Sequence, residues 1–337
     1  MGRLVDRALY QGLCCPFPSI MNRHAAAAEE ACLAWAEGFG LFRDSRSYKI
    51  FKAGGIGRLA AMCRPFCGRE DLMLLSIFYA WMFLQDDLRD ESEVGRSPGR
   101  LSEGDRRSLD VLEGDDPAHS DGPVVHAMGD LRERFASVAP GPLWMRRFTR
   151  AIRNYLDATI WEASNRARGI VPDPESYLRM RPLTGGLDID EELIGLSDDA
   201  RLPRHVLDDP SAKRLTRASM NVVCWSNDIL SLEKELAHGD VHNLVIVLRD
   251  ATGLPLEEAM GRVIEMHNAE VRDFIALAPD LPSFGGAVDA NLSRYVSILQ
   301  ARMRGNLDWS LESGRYAQAA ARYPSADGLT AGQPPVG

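Results

Sequence analysis

Two stretches of this sequence carry oxygen donors at spacings that could hold a metal ion. The first is Asp86-Asp87-Leu88-Arg89-Asp90-Glu91. On a helix, Asp86 and Asp90 project from one face a turn apart, with Asp87 and Glu91 as a second pair beside them. Four carboxylates within about two turns repel one another, and at a helix C-terminal end they also oppose the macrodipole. Solvent or a cation must offset that cost. Oxygen-only ligands suit a hard cation such as Mg2+. On these residues alone two readings stay open, a metal site or a solvated acidic helix end. Just upstream, Phe78, Tyr79, Trp81 and Phe83 set aromatic bulk beside the acid. That juxtaposition suits a substrate with an apolar body and an anionic head.

The second stretch runs from Cys224 to Glu235. Asn227, Ser231 and Glu235 stand at i, i+4 and i+8, so a helix stacks them in one stripe, each about 6 Å above the last. An amide oxygen, a hydroxyl and a carboxylate are all hard donors able to chelate one cation together. Lys234 lies beside the stripe and can meet a phosphate as a point charge. An ordinary polar stripe explains this segment badly. Asn and Ser are poor helix formers, yet they sit here among Val222, Val223, Trp225, Ile229 and Leu230.

The elements that must present these groups read as helices throughout. Strand signals are nearly absent, and apolar residues recur every three or four positions. Candidate helices run over about 22–40, 55–63, 69–90, 124–138, 142–167, 174–184, 189–196, 204–237, 241–250, 255–278 and 286–318. Residues 92–123, rich in Gly, Ser, Asp and Pro, read as a mobile surface loop. The expected organisation is an irregular segment over 1–15, one all-α bundle over 16–321 and a disordered tail over 322–337.

Of 337 residues, 45% are apolar and 26% charged, which is ordinary globular usage and excludes wholesale disorder. With 39 Lys and Arg against 48 Asp and Glu, the net charge is −9, a poor balance for binding nucleic acid or an anionic membrane. The apolar stretch from Leu72 to Leu84 is too short to span a bilayer and runs into Asp86. No signal-peptide core follows Met1, and the six cysteines form no disulfide framework, so a cytoplasmic protein with reduced thiols is expected. His238 and His242 read as loop residues beyond a helix rather than zinc ligands.

Taken together, the two motifs resemble those of the class I terpene synthases. Asp86-Asp87-x-x-Asp90-Glu91 is similar to the family's aspartate-rich motif. Asn227-Asp228-x-x-Ser231-x-x-Lys234-Glu235 matches its second metal motif at each defining position. Arg181, 46 residues before Asn227, resembles the diphosphate-sensing arginine. Thr184 and Gly185 stand where the family has its linker and its effector glycine at a helix break. Thr184 is a departure, because several relatives carry Asp there. Asn306, Trp309, Arg315 and Tyr316 resemble the C-terminal signature.

The resemblance implies a single-domain helical bundle with a central cavity. It implies three Mg2+ ions, with Mn2+ as a substitute, held by Asp86, Asp87 and Asp90 on one side and by Asn227, Ser231 and Glu235 on the other. Arg181, Lys234, Arg315 and Tyr316 would bind the diphosphate of a linear isoprenoid. Phe51, Phe78, Tyr79, Trp81, Phe83 and Trp309 are candidates for the cavity wall, each equally open to being plain core. The implied reaction ionises an isoprenyl diphosphate and cyclises the carbocation. Farnesyl diphosphate is the expected substrate, with geranylgeranyl diphosphate next. A homodimer is the protein partner the resemblance suggests. Two other functions compete. A chain-elongating prenyl synthase would want a second aspartate-rich motif where Asn227-Asp228-Ile229-Leu230-Ser231 stands. A non-catalytic helical protein that binds a divalent cation or a partner leaves Arg181, Lys234, Arg315 and Tyr316 unexplained.

Overall fold

The computed structural model describes residues 12–91, 97–197 and 199–314, apart from the side chains of Asp90 and Glu91. Among the described residues there are fourteen α-helices and no strand. They are α1 Ala25–Gly38, α2 Ser45–Gly54, α3 Ile56–Cys63, α4 Arg69–Glu91, α5 Pro98–Glu113, α6 Pro123–Val138 and α7 Pro142–Arg168. Then follow α8 Pro174–Thr184, α9 Leu187–Ile194, α10 Arg204–Leu207, α11 Pro210–His238, α12 Leu244–Thr252, α13 Leu256–Leu277 and α14 Gly286–Glu312. The all-α expectation holds. The expected tail over 322–337 and most of the segment 1–15 lie outside the described residues.

Three expectations about elements need correction. The segment 92–123 is not one long loop, because α5 occupies its middle. Its polar composition hides Leu101, Leu109, Val111 and Leu112, which are buried on one side. Pro98 sits in the first turn, where its missing N–H costs nothing. A buried ion pair then docks the helix: Arg89 of α4 donates to Asp105 of α5, and also to Thr159 of α7 at 3.1 Å. Second, the helix expected over 204–237 is broken before Pro210. Asp209 takes an extended backbone and caps α11 by accepting from Ser211 and Ala212. Third, α2 was not anticipated. Asp44 and Ser47 start it with a reciprocal capping box.

The helices pack around a central cavity in two large apolar groups and two smaller ones. Helices α4, α6, α7 and α9 share one core built on Phe78, Trp81, Phe135, Phe148 and Tyr155. Helices α11 to α14 share the other, built on Leu215, Trp225, Val263, Phe274 and Leu299. The α14–α3 crossing is close enough that a Cβ on Gly305 would lie 2.6 Å from the Met62 carbonyl carbon.

A buried ionic hub ties the bundle across these cores. Asp190 of α9 accepts from Arg64, at the end of α3, at 2.6 Å and from Arg302 of α14 at 3.2 Å. The Tyr79 hydroxyl of α4 donates to the same carboxylate at 2.5 Å. Arg302 also donates to Ser219 of α11 at 2.9 Å. Burial alone would push the Asp190 carboxyl up, but the Arg64 and Arg302 charges overcome it and hold it at about 2.

Removing one partner of a buried charge cluster leaves the others uncompensated, at a cost of about 3–5 kcal/mol. Asp190→Asn is expected to lose stability on that scale at neutral pH, measured by urea unfolding. The Asp190 carboxyl titrates below its ordinary 3.8. Its contribution is therefore complete above about pH 4 and is lost as pH falls toward about 2. The stability gap between wild type and variant should narrow over that range.

Candidate active site

The cavity is walled by α4, α7, the α8–α9 junction, α11, the turn after it and α14. Met82, Phe83 and Asp86 come from α4; Tyr155, Glu162 and Arg166 from α7. Arg181, Thr184, Gly185 and Leu187 come from the junction; Val223, Cys224, Asn227 and Glu235 from α11. Asp240, His242, Asn306 and Trp309 complete it. Asp86 and the two ends of the stripe, Asn227 and Glu235, which stand far apart in the sequence, thus line one space, with Ser231 buried beside it.

Helix periodicity alone does not decide which aromatics reach it, because Phe78 stands one turn before Met82 and Tyr79 one turn before Phe83 on the same side of α4. Phe135 and Phe148 cover Phe78 and the Asp190 carboxylate takes Tyr79, which leaves Met82, Phe83 and Asp86 as the lining residues of this helix. Phe83 and Trp309 line the cavity and meet edge to face at 5.5 Å. The Trp309 indole N–H donates to Gly54 O at 2.7 Å, which fixes the ring. Phe78 and Trp81 are instead core residues, stacked on each other and packed on Phe135 and Phe148, so their expected place in the cavity wall is corrected. Phe51 also is buried in a separate core cluster, and Tyr79 serves the Asp190 hub.

On α11 the stripe forms as its spacing demands. The Ser231 hydroxyl lies 2.7 Å from Glu235 Oε1. Asn227 presents its amide oxygen to Arg181 Nη2 at 2.8 Å. Arg181 Nε is paired with the fully buried Asp228 at 2.8 Å. The Tyr177 hydroxyl at 2.8 Å and the Leu244 amide at 3.1 Å hold the other Asp228 oxygen. Arg181 is therefore an anchor between α8 and α11 as well as a cation at the cavity. Desolvation, with Asp228 and Asp240 as acidic neighbours, pushes the Glu235 carboxyl up to about 8. Such a carboxyl is short of positive charge.

The donor set fits a hard divalent cation. At Mg–O distances of about 2.0–2.1 Å, neighbouring ligand oxygens of an octahedron stand about 2.9 Å apart. The Ser231–Glu235 oxygen separation of 2.7 Å is close to that edge. Asp86 supplies a carboxylate on the opposite wall. Asp87 and Lys234 are half-buried and not among the lining residues. The side chain of Asp90, and both Arg315 and Tyr316, lie outside the described residues.

The helix break is where the sequence placed it. Helix α8 continues through Pro182 and ends at Thr184, whose hydroxyl donates to Arg181 O at 3.3 Å. Gly186 then takes φ +68, and a Cβ there would sit 2.5 Å from the Met82 methyl. Left-handed backbone and close contact both require glycine. The break lets Arg181, Thr184, Gly185 and Leu187 all face the cavity.

Sequence reasoning missed a polar wall formed by Glu162, Arg166, Asp240 and His242. Arg166 Nη1 donates to Asp240 at 3.1 Å, and His242 Nδ1 lies 2.9 Å from the same carboxylate. Burial opposes ionisation of Asp240, but its bond to His242 and the Arg166 charge hold it below the usual carboxylate range. Burial pushes Glu162 up. His238 is the last residue of α11, at the surface, and His242 lies in the loop beyond it as expected, but is buried in the cavity wall. The i, i+4 pair Glu162 and Arg166 was the available signal, and it is indistinguishable from an ordinary surface ion pair.

This geometry can grip an anionic head through cations at a polar rim while an apolar tail lies folded against Met82, Phe83, Leu187, Val223 and Trp309. That is the work of a class I terpene synthase, and it defines the class. A family model described as terpene synthase family 2, C-terminal metal binding, matches residues 78–273. The (+)-T-muurolol synthase of Roseiflexus castenholzii is 37% identical over 90% of this chain and 92% of its own length. The germacrene A synthase of Nostoc punctiforme is 34% identical over 93% and 96%. Among solved structures, the linalool/nerolidol synthase of Streptomyces clavuligerus superposes with a TM-score of 0.78 at 26% identity, covering 88% of this chain and 99% of that one. The chain belongs to this terpene synthase family, and it is a divalent-metal-binding enzyme.

Asp86→Ala, Asn227→Ala and Glu235→Ala should each lower turnover by more than about 100-fold, since even supporting groups around metals are worth 10–100-fold. Far-UV circular dichroism of all three should match wild type.

Proposed function

We propose that this protein ionises farnesyl diphosphate with Mg2+ and closes the carbocation to a cyclic sesquiterpene, releasing diphosphate. The observation that carries the reading is the convergence of Asp86 with Asn227 and Glu235 on a single cavity that also holds an apolar patch of Met82, Phe83, Leu187, Val223 and Trp309, with Ser231 bonded to Glu235 beside it. The fifteen-carbon substrate is supported by the T-muurolol synthase, a relative described as cyclising farnesyl diphosphate.

Three Mg2+ ions would be held by Asp86 and Asp90 on one wall and by Asn227, Ser231 and Glu235 on the other. When bound, they neutralise charge that develops on the leaving diphosphate. Arg181 already points its guanidinium at the cavity and needs only to exchange Asn227 for a diphosphate oxygen while Asp228 retains its Nε. Lys234, Arg315 and Tyr316 complete the proposed grip on the head group. Phe83 and Trp309 present ring faces and edges to the tail, where they stabilise positive charge and exclude water.

The test is incubation with geranyl, farnesyl and geranylgeranyl diphosphates plus Mg2+, with the organic extract read by gas chromatography–mass spectrometry. Farnesyl diphosphate should give a cyclic C15 product at the highest kcat/KM, and EDTA should abolish it. Faster turnover of geranylgeranyl diphosphate would overturn the substrate assignment. Absence of any product from well-folded protein would overturn the reading.

A further inference from the structure

Glu235 is held from outside its own helix by a side chain that neither motif contains. Asn243, fully buried, caps α12: its Oδ1 accepts from the Val245 amide at 2.9 Å. Its Nδ2 donates in two directions, to the Asp228 carbonyl at 2.6 Å and to Glu235 Oε2 at 2.7 Å. The amide orientation is dictated by these partners. Reversed, it would aim its oxygen at two acceptors and its nitrogen at a donor. Ser231 meets the other oxygen of the Glu235 carboxylate, Oε1. Among the described residues, Asn243 is the group outside α11 that reaches this carboxylate.

We propose that Asn243 is the positioning residue of the second metal set: it pins Glu235 Oε2 so that Oε1 stays on the Ser231 side, as a preset ligand. The inference rests on Asn227, Ser231 and Glu235 being metal ligands. Glu235 stands in the last turns of α11, before the turn Gly239–Asn243, and its long side chain has several rotamers to lose. A donor fixed to the backbone of both α11, through Asp228, and α12, through Val245, removes that freedom before any cation arrives. Asn243 turns its nitrogen, not its oxygen, toward Glu235, so it faces the stripe as a donor rather than as a ligand.

The test uses the full chain with inorganic diphosphate present and Mg2+ titrated by calorimetry. Asn243→Ser keeps a capping oxygen for α12 but is too short to reach Glu235. It should melt within a few degrees of wild type and bind Mg2+ about 10–100-fold more weakly, with turnover recovering at high Mg2+. In a Glu235→Gln background the same substitution should cost nothing further. Wild-type Mg2+ affinity in Asn243→Ser overturns the proposal. So does an equal loss in both backgrounds, which marks a merely structural role. If Asn243→Ser fails to fold, Asn243→Gly, which caps a helix nearly as well as Asn and has no group to reach Glu235, takes its place with the same expectations. If wild type binds no Mg2+ with diphosphate, or Glu235→Gln binds it like wild type, the metal assignment itself fails.

Discussion

The Asp190 hub is the constraint on which the cavity depends. All of its members except Arg64 stand one turn from a lining residue on the same helix. Tyr79 precedes Phe83 on α4, Ser219 precedes Val223 on α11, Arg302 precedes Asn306 on α14, and Asp190 follows Leu187 on α9. One carboxylate shared by two guanidiniums and a phenol therefore sets the relative register of four helices beside the space they enclose. Apolar packing alone is tolerant of small slides between helices. Hydrogen-bonded charges are not, because a slide leaves a buried charge unpaired. A cavity meant to fold a flexible chain in one way requires walls that do not slide.

A second polar tier repeats the device at the rim. Arg181 with Asp228 joins α8 to α11, Arg166 with Asp240 joins α7 to the turn after α11, and Asn243 joins that turn to Glu235 of α11. Between the tiers lie Met82, Phe83, Leu187, Val223 and Trp309. The order follows from the chemistry. Charges at the rim interact strongly in a partly desolvated site. A carbocation below it survives where no fixed nucleophile stands close.

The parts of this arrangement that were legible in the sequence are those set by local geometry. A period of 3.6 residues puts Asn227, Ser231 and Glu235 in line wherever the helix lies, and the Gly185-Gly186 pair ends a helix in any context. What was not legible depends on partners distant in the chain. Phe78 and Phe83 look alike as letters, and only the placement of Phe148 and Trp309 sorts one into the core and the other into the cavity. Helix α5 was hidden because its few buried apolar residues stand among Gly, Ser, Asp and Arg, and because its docking adds an ion pair between Arg89 and Asp105 that no local pattern announces. His242 is the loop residue it was read as, but nothing local announces that Asn165 of α7 meets it and that it is buried in the cavity wall.

Helix α11 shows how a stripe of poor helix formers is tolerated in the middle of a long helix. Asn227 and Ser231 each cost roughly 0.5 kcal/mol in propensity relative to Ala. On the rest of the same circumference Val222, Trp225, Ile229 and Leu232 are buried, each contributing about 1.5–3 kcal/mol relative to exposure. Packing outweighs propensity several-fold, so the helix is held by its core face and its cavity face is released for chemistry. Asp228 adds to this from the turn between them, since its fully buried carboxylate draws Arg181 and the start of α12 onto the helix. Asp228 thus fixes Arg181 at the cavity, and the adjacency of Asn227 and Asp228 in the chain keeps the Asn227 amide oxygen and the arginine in fixed relation.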